Sequence, residues 1–286
     1  MRESPGVLRW IARYARISPA AGAHLAVRCT GFTRFNRLER ALPRSGRILD
    51  LGCGHGLFAL LAASRASERE VLGIDLLEER VEVARRVAAR HGVGNVRFER
   101  RSVLDLPAGP FDAVVVADVL MYLTRDSQRL VLESCASRLA LGGALVVKEQ
   151  VLSPEWKARM VVMQERFAHG ARVRLGLCPG WGNVATGTVH LWESEDLVSL
   201  LRSFGLEVQE ERLDRFSYLS HHLFVSKRVS SPRCPSSTTE PSPPGPMPPS
   251  RTGCARATST SSSGRKAWSD PGQPSAAPSR GTTSTR

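Results

Sequence analysis

The chain has 286 residues, 42% hydrophobic and 23% charged, enough for one large domain with appendages. Its formal charge is +13, but the excess lies in the flanks: residues 1–47 carry ten arginines against two acids, residues 229–286 carry seven basic residues against two acids, and residues 48–228 carry 23 of each. A neutral body weakens the usual electrostatic case for a nucleic-acid enzyme. No stretch approaches the ~20 apolar residues that span a bilayer, and Arg9, Arg13 and Arg16 interrupt the apolar run of a signal peptide, so a cytoplasmic protein is expected. Six scattered cysteines form no CxxC pair, which fits a reducing compartment and no metal site.

The elements follow in chain order. Residues 7–42 read as helical in two pieces divided near Pro19, a basic N-terminal arm over 1–46. Val7, Trp10, Ile11, Tyr14 and Ile17 share one face. That face either packs against the rest of the fold or lies at an anionic lipid surface as an interfacial helix. From Ile48 strands and helices alternate: "RILDLGC", then "GLFALLAASRA"; "EVLGIDL", then "LEERVEVARRVAARHG" with Gly92 as C-cap; "NVRFERRS"; "FDAVVVADVL", then "DSQRLVLESCASRLA"; and "ALVVKEQ". Residues 152–190 break the rhythm. The helix "SEDLVSLLRSFG", with Ser194 as N-cap, and an antiparallel pair, "LEVQEERL" and "HHLFVSKR", follow. The expected fold class is α/β: a doubly wound, mostly parallel seven-stranded sheet with an antiparallel terminal strand over 47–228. Residues 229–286 hold 11 of the 18 prolines and 22 Ser or Thr, with no apolar period, and are expected to be a disordered tail.

The chemistry starts at "ILDLGCGHGLF", residues 48–58, where Gly52, Gly54 and Gly56 open the backbone to a close ligand. A dinucleotide, a nucleotide phosphate and S-adenosylmethionine are the candidates. Leu57 stands where the dinucleotide fingerprint has its third glycine, no Gly-Lys-Ser/Thr follows, and Asp50 is better suited to a cation than to a pyrophosphate. Over residues 45–228 the sequence resembles the class I, Rossmann-like S-adenosylmethionine-dependent methyltransferases. "ILDLGCGHG" matches that family's first motif, "LGIDL" its second element, "SVLDLP" its third, and "FDAVVVADVLMYL" and "LALGGALVV" its fourth strand and closing turn. The resemblance implies S-adenosylmethionine as cofactor, with Asp50 near the methionyl amino group and Gly52, Cys53, Gly54 and Gly56 in the loop beneath it. It further implies Asp75 at the ribose hydroxyls, Leu76 beside the adenine, Asp105 by its amino group with Val103 or Leu104 against the ring, and Asp118 and Val119 on the floor.

The acceptor is harder to read. The Asn/Asp-Pro-Pro-Tyr/Phe motif of adenine and amide methylation is absent, and "LCPG" at Cys178 reverses the Pro-Cys order of cytosine C5 chemistry. "RLERALPRSGRILDLGCGHGLFALLAA" and "ADVLMYLTRDSQRLVLE" are similar to small-molecule methyltransferases of bacterial fatty-acid-type and aryl-polyene pathways, which implies an apolar, aromatic or lipid-like acceptor. Residues 152–190 would cap it. Trp181 and Trp192 offer flat walls, and Asn183 and Thr186 polar anchors. His190 is the first candidate base and Tyr122 an aromatic facing the methyl group. His169, Glu149, His221 and His222 are weaker, and the adjacent pair His221–His222 points to opposite faces of a strand. An RNA- or protein-directed enzyme and a non-catalytic cofactor-binding protein are the competing readings.

Overall fold

In a computed structural model of the chain, the described residues are 5–31, 34–152, 154–160, 162–163, 166, 189–213 and 220–229. His169, Cys178, Trp181, Asn183 and Thr186 of the expected cap, and the tail from residue 230, lie outside them. The elements run α1 (Pro5–Ile17), α2 (Pro19–Gly31), α3 (Phe35–Arg40), β1 (Gly46–Leu51), α4 (Leu57–Arg65), β2 (Arg69–Asp75), α5 (Glu78–Arg90), β3 (Val96–Arg100), β4 (Phe111–Ala117), a 3-10 turn (Leu120–Tyr122), α6 (Arg125–Ser137), β5 (Leu139–Gln150), α7 (Ser194–Ser203), β6 (Leu206–Arg212) and β7 (His221–Arg228).

The seven strands form one sheet in the order β3-β2-β1-β4-β5-β7-β6. Strands β1 to β5 are parallel, and β7 runs antiparallel to both of its neighbours. The final strand therefore sits inside the sheet, and β6 holds the edge. Chain order reverses at β1, whose neighbours are β2 and β4, and doubly wound sheets take their ligands at such a switch point, beyond the carboxyl ends of the strands. Alternation along each strand fills two cores. Ile48, Val71, Ala113, Val115, Ala144 and Val146 face α1, α4 and α5. Leu49, Leu51, Val114, Val116, Leu145 and Val147 face α6 and α7.

Helix α1 settles between the two readings of its apolar face. Val7, Trp10, Ile11 and Tyr14 are buried in the first core, beside Leu60, Ala84 and Val87. That face is occupied by protein and is not available for insertion into lipid. The arm is also tied down by charge: Arg69, itself buried, donates to Glu39 of α3 at 3.0 Å and to the carbonyls of Pro43 and Ala62. Two local expectations shift slightly. Gly92, at φ +64, follows the C-cap position of α5, where His91 stands. Ser194 is the first helical residue of α7 and not its cap, and its hydroxyl donates instead to Glu210 at 2.5 Å.

Candidate active site

At the switch point β1 and β2 end side by side, each with an acid. The Cys53 N–H donates to the Ile74 carbonyl at 2.9 Å. Asp75 then clamps the loop: its Oδ2 accepts from the Gly54 N–H at 2.8 Å and its Oδ1 from the Leu77 N–H at 3.0 Å. Asp50 is buried, and its Oδ2 has no hydrogen-bond partner. Burial above all, then the charge of Asp75, pushes its carboxyl up to about 7, partly offset by the Ala59 N–H. A buried carboxyl with an unused oxygen beside an open loop is chemically suited to pair with a cationic group.

The three glycines all have positive φ but serve different ends. A Cβ on Gly52 would come 2.5 Å from Val119, and one on Gly56 2.5 Å from the Phe98 ring and 2.8 Å from Ala84. These two are cleared for the protein's own packing. Around Gly54 nothing lies within 4 Å, so it is the position where the backbone lies open toward a ligand. Cys53 contributes main chain to the loop. Its sulfur packs beneath, 3.0 Å from where a Gly73 Cβ would be, and burial with Asp50 and Asp75 holds the thiol well above its ordinary range.

Leu76 and Leu104 are 39% and 58% exposed, two apolar side chains on the ends of β2 and of the loop after β3. Asp105 is exposed beside them, 3.4 Å from Arg101, and Val103 is half-buried. On the other side of the crevice, Asp118 follows β4 with φ +57. Its carboxylate is turned toward Lys148, whose Nζ donates to Oδ2 at 2.5 Å, while Val119 abuts Gly52. Glu149 shapes the turn that follows: its Oε1 accepts from the Val119 and Leu120 N–H groups at 2.8 and 2.7 Å. Burial, then the charge of Asp118, raises its carboxyl to about 8.

Tyr122 and His190 are brought together. The His190 N–H donates to the Met121 carbonyl at 2.9 Å, and Gln128 donates to the carbonyls of His190 and Leu120. Tyr122 and Val189 pack, with Leu152, against the small apolar cluster of Met121, Ala158 and Leu191. Trp192 is covered on one face by the Arg125 guanidinium, 4.0 Å from its ring centre. His221 and His222 do point to opposite faces, toward Asp118 and Glu210 respectively.

Sequence reasoning missed two residues of this region. Tyr14 was read only as part of the arm's apolar face, yet its hydroxyl donates to the His55 carbonyl in the glycine loop at 2.5 Å. Lys148 stood unremarked in "ALVVKEQ", where the charge at the end of an apolar run was the available signal.

A family model described as a methyltransferase domain matches residues 48–143, the span from the glycine loop to the turn within β5. The chain carries a class I S-adenosylmethionine-dependent methyltransferase domain. A ubiquinone biosynthesis O-methyltransferase from Xanthomonas axonopodis pv. citri is 33% identical over 180 residues, covering 61% of this chain and 66% of that one. A ribosomal protein L11 methyltransferase from Thermotoga neapolitana is 32% identical over 118 residues, 40% of this chain and 43% of that one. The chain thus spans about half the length of the curated relatives it matches. In fold it is similar to an O-methyltransferase family protein from Burkholderia thailandensis, with a TM-score of 0.55 and 21% identity over 69% of this chain and 56% of the other. The cofactor of the methyltransferase domain is S-adenosylmethionine, and the site fits it on two independent points: the unused oxygen of buried Asp50 suits an ammonium, and open Gly54 leaves room at the loop. Among the described residues no group of His, Cys, Asp and Glu could hold a metal ion.

Proposed function

We propose that the chain transfers a methyl group from S-adenosylmethionine to a small or lipid-like acceptor, aromatic ones included, on oxygen or carbon. The observation that carries this reading is the apolar cluster of Met121, Ala158 and Leu191, with Tyr122, Leu152 and Val189 against it. It stands apart from the two main cores and includes the 3-10 turn that follows Val119, the residue abutting Gly52. S-adenosylmethionine, when bound, would supply a methyl group carried on a sulfonium sulfur, which keeps the electron pair of the carbon–sulfur bond that breaks. The protein's part is to hold the donor and align an acceptor with it. Asp50 would receive the amino group, Asp75 the ribose hydroxyls, and Leu76, Val103, Leu104 and Asp105 the adenine. Gly52, Cys53, Gly54 and Gly56 would form the cradle, Asp118 and Val119 the floor, and Tyr122 and His190 the acceptor side.

Both the ubiquinone biosynthesis O-methyltransferase relative and the neutral body favour a small acceptor over a macromolecule. The arm adds a surface partner of its own. Arg9, Arg13, Arg16, Arg86 and Arg90 have no carboxylate partner among the described residues. Burial first, and then the charges of Arg13, Arg90 and Arg16, lower the proton affinity of His91. We read this as peripheral contact with an anionic membrane by charge alone, since the apolar face of α1 is buried. Binding of the full chain to phosphatidylglycerol vesicles that survives Arg13→Glu with Arg90→Glu would remove that contact.

The acceptor class is tested by incubating the full chain with tritiated S-adenosylmethionine and a bacterial extract, then separating the products by solubility. Label in the solvent-extractable fraction is expected. Label in RNA or protein would favour a macromolecular substrate instead, and no labelled product of any size would favour a cofactor-binding protein without catalysis.

A further inference from the structure

Helices α1 and α2 reach the glycine loop from outside the sheet, and both meet it at His55. Tyr14 sits on the buried face of α1, and its hydroxyl donates to the His55 carbonyl at 2.5 Å. The His24 ring of α2 lies 5.2 Å from the His55 ring and is tilted against it. Burial above all, then the nearby Cys53 and Asp50, holds the Tyr14 hydroxyl well above its ordinary range. The phenol therefore keeps its proton and can donate.

Further bonds hold the loop from β2 or from within. The Cys53 N–H donates to the Ile74 carbonyl, the Gly54 N–H to Asp75, and the Gly56 N–H to the Cys53 carbonyl. The peptide between His55 and Gly56 is thus held at both ends, its N–H by the loop and its carbonyl by the arm. At this peptide the chain turns into α4, through Gly56 at φ +75. Glycines flank His55 on both sides, and glycine is the residue that leaves a peptide freest to rotate. The Tyr14 hydroxyl removes that freedom. A cradle that is set before its ligand arrives binds more tightly, because the ordering cost falls on folding and not on binding.

We infer that Tyr14 is a positioning residue of the cofactor site: by fixing the His55–Gly56 peptide, it makes the N-terminal arm part of the cradle for the amino-acid end of S-adenosylmethionine. The inference rests on placing the donor at the glycine loop. It gives the arm a role beyond surface contact. Tyr14 makes and breaks no covalent bond; it acts through the main chain of the loop. Its effect belongs to the end of the donor that Asp50 would receive. The ribose and adenine would be met elsewhere, by Asp75 and Leu76 after β2 and by residues 103–105 after β3.

The test is calorimetric titration of the full chain with two ligands, S-adenosylhomocysteine and 5′-methylthioadenosine, the second of which lacks the amino-acid end. Tyr14→Phe and Trp10→Leu stand beside the wild type, each with a thermal melt. Trp10 packs on the same face of α1, edge-on to His91, so its replacement loosens the arm and keeps the Tyr14 hydroxyl. Tyr14→Phe is expected to bind S-adenosylhomocysteine about five- to tenfold more weakly, and methylthioadenosine within about twofold of wild type. Trp10→Leu should melt lower yet bind both ligands as the wild type does. Wild-type affinity for S-adenosylhomocysteine in Tyr14→Phe overturns the assignment, as does an equal loss for both ligands. A Tyr14→Phe chain that melts below the assay temperature, or an equal loss in Trp10→Leu, also overturns it, because the contact then serves arm packing. No binding of S-adenosylhomocysteine by the wild type removes the placement of the donor itself, whereas equal binding by all three proteins removes only Tyr14.

Discussion

Asp50 carries the clearest signature at the scale of one residue. Its carboxyl is half ionised near pH 7, because burial and Asp75 disfavour the charge. A cationic ligand requires the charged form. Affinity for S-adenosylmethionine is therefore expected to rise about tenfold from pH 6 to pH 8. Asp50→Asn should be weaker throughout and flat across that range in a calorimetric pH series. A wild-type affinity that does not change with pH would separate Asp50 from the amino group. The glycines give a second contrast. Gly54→Ala should cost about 1–2 kcal/mol of stability for its left-handed backbone and a larger share of cofactor affinity, because its Cβ would point into open space. Gly56→Ala meets Phe98 and Ala84 and should show mainly as lost stability in denaturant titrations. The sequence showed three glycines clearing the main chain. Only the fold separates the one facing open space from the two that make room for Val119 and Phe98, since those neighbours come from other elements.

At the scale of the element, β5 matters most beyond the glycine loop. Its last three residues, Lys148, Glu149 and Gln150, are all buried. Glu149 satisfies two N–H groups of the turn that carries Val119 and Leu120. Glu149→Ala strands both donors and should cost about 1–3 kcal/mol. Glu149→Gln keeps an acceptor there and should cost little at neutral pH. The sign of its pH dependence follows from the raised carboxyl. The folded protein binds the proton up to about pH 8, whereas the unfolded chain releases it near 4.5. Stability from this group is thus present below 4.5 and is lost as pH rises through 8. Glu149→Gln should flatten that fall in thermal melts between pH 5 and 8, and an unchanged slope would count against the burial of the carboxyl. Strand β5 itself was legible from "ALVVKEQ", whose apolar run marks a strand buried on both faces. The burial of its charged end was not, because it depends on Asp118, on His221 and on main-chain donors after β4.

At the scale of the whole molecule, the doubly wound sheet could be read because each strand and helix carries its own period and its own stop signals. The placement of Asp50, Asp75 and Asp105 on one side of the sheet could be read because they stand at or just after the carboxyl ends of β1, β2 and β3, which parallel pairing lines up. The place of β7 between β5 and β6 shows only in the pairing register. Contacts between Tyr14 and His55, and between Arg34 and Leu213, join segments far apart in the chain and leave no local trace. The acceptor stays the least legible part, since its expected cap over 152–190 belongs to no regular period, and Trp181, Asn183 and Thr186 lie outside the described residues. Everything on the acceptor side presupposes that the paired ends of β1 and β2 hold the donor. Titration of S-adenosylmethionine into the full chain, with Asp75→Ala and Asp75→Asn alongside, tests that most directly. Saturable binding is expected for the wild type, weakened by about 1–3 kcal/mol in Asp75→Ala and by less in Asp75→Asn, which keeps one oxygen for the Gly54 N–H. Equal affinity in all three proteins would contradict the placement of the cofactor at this end of the sheet.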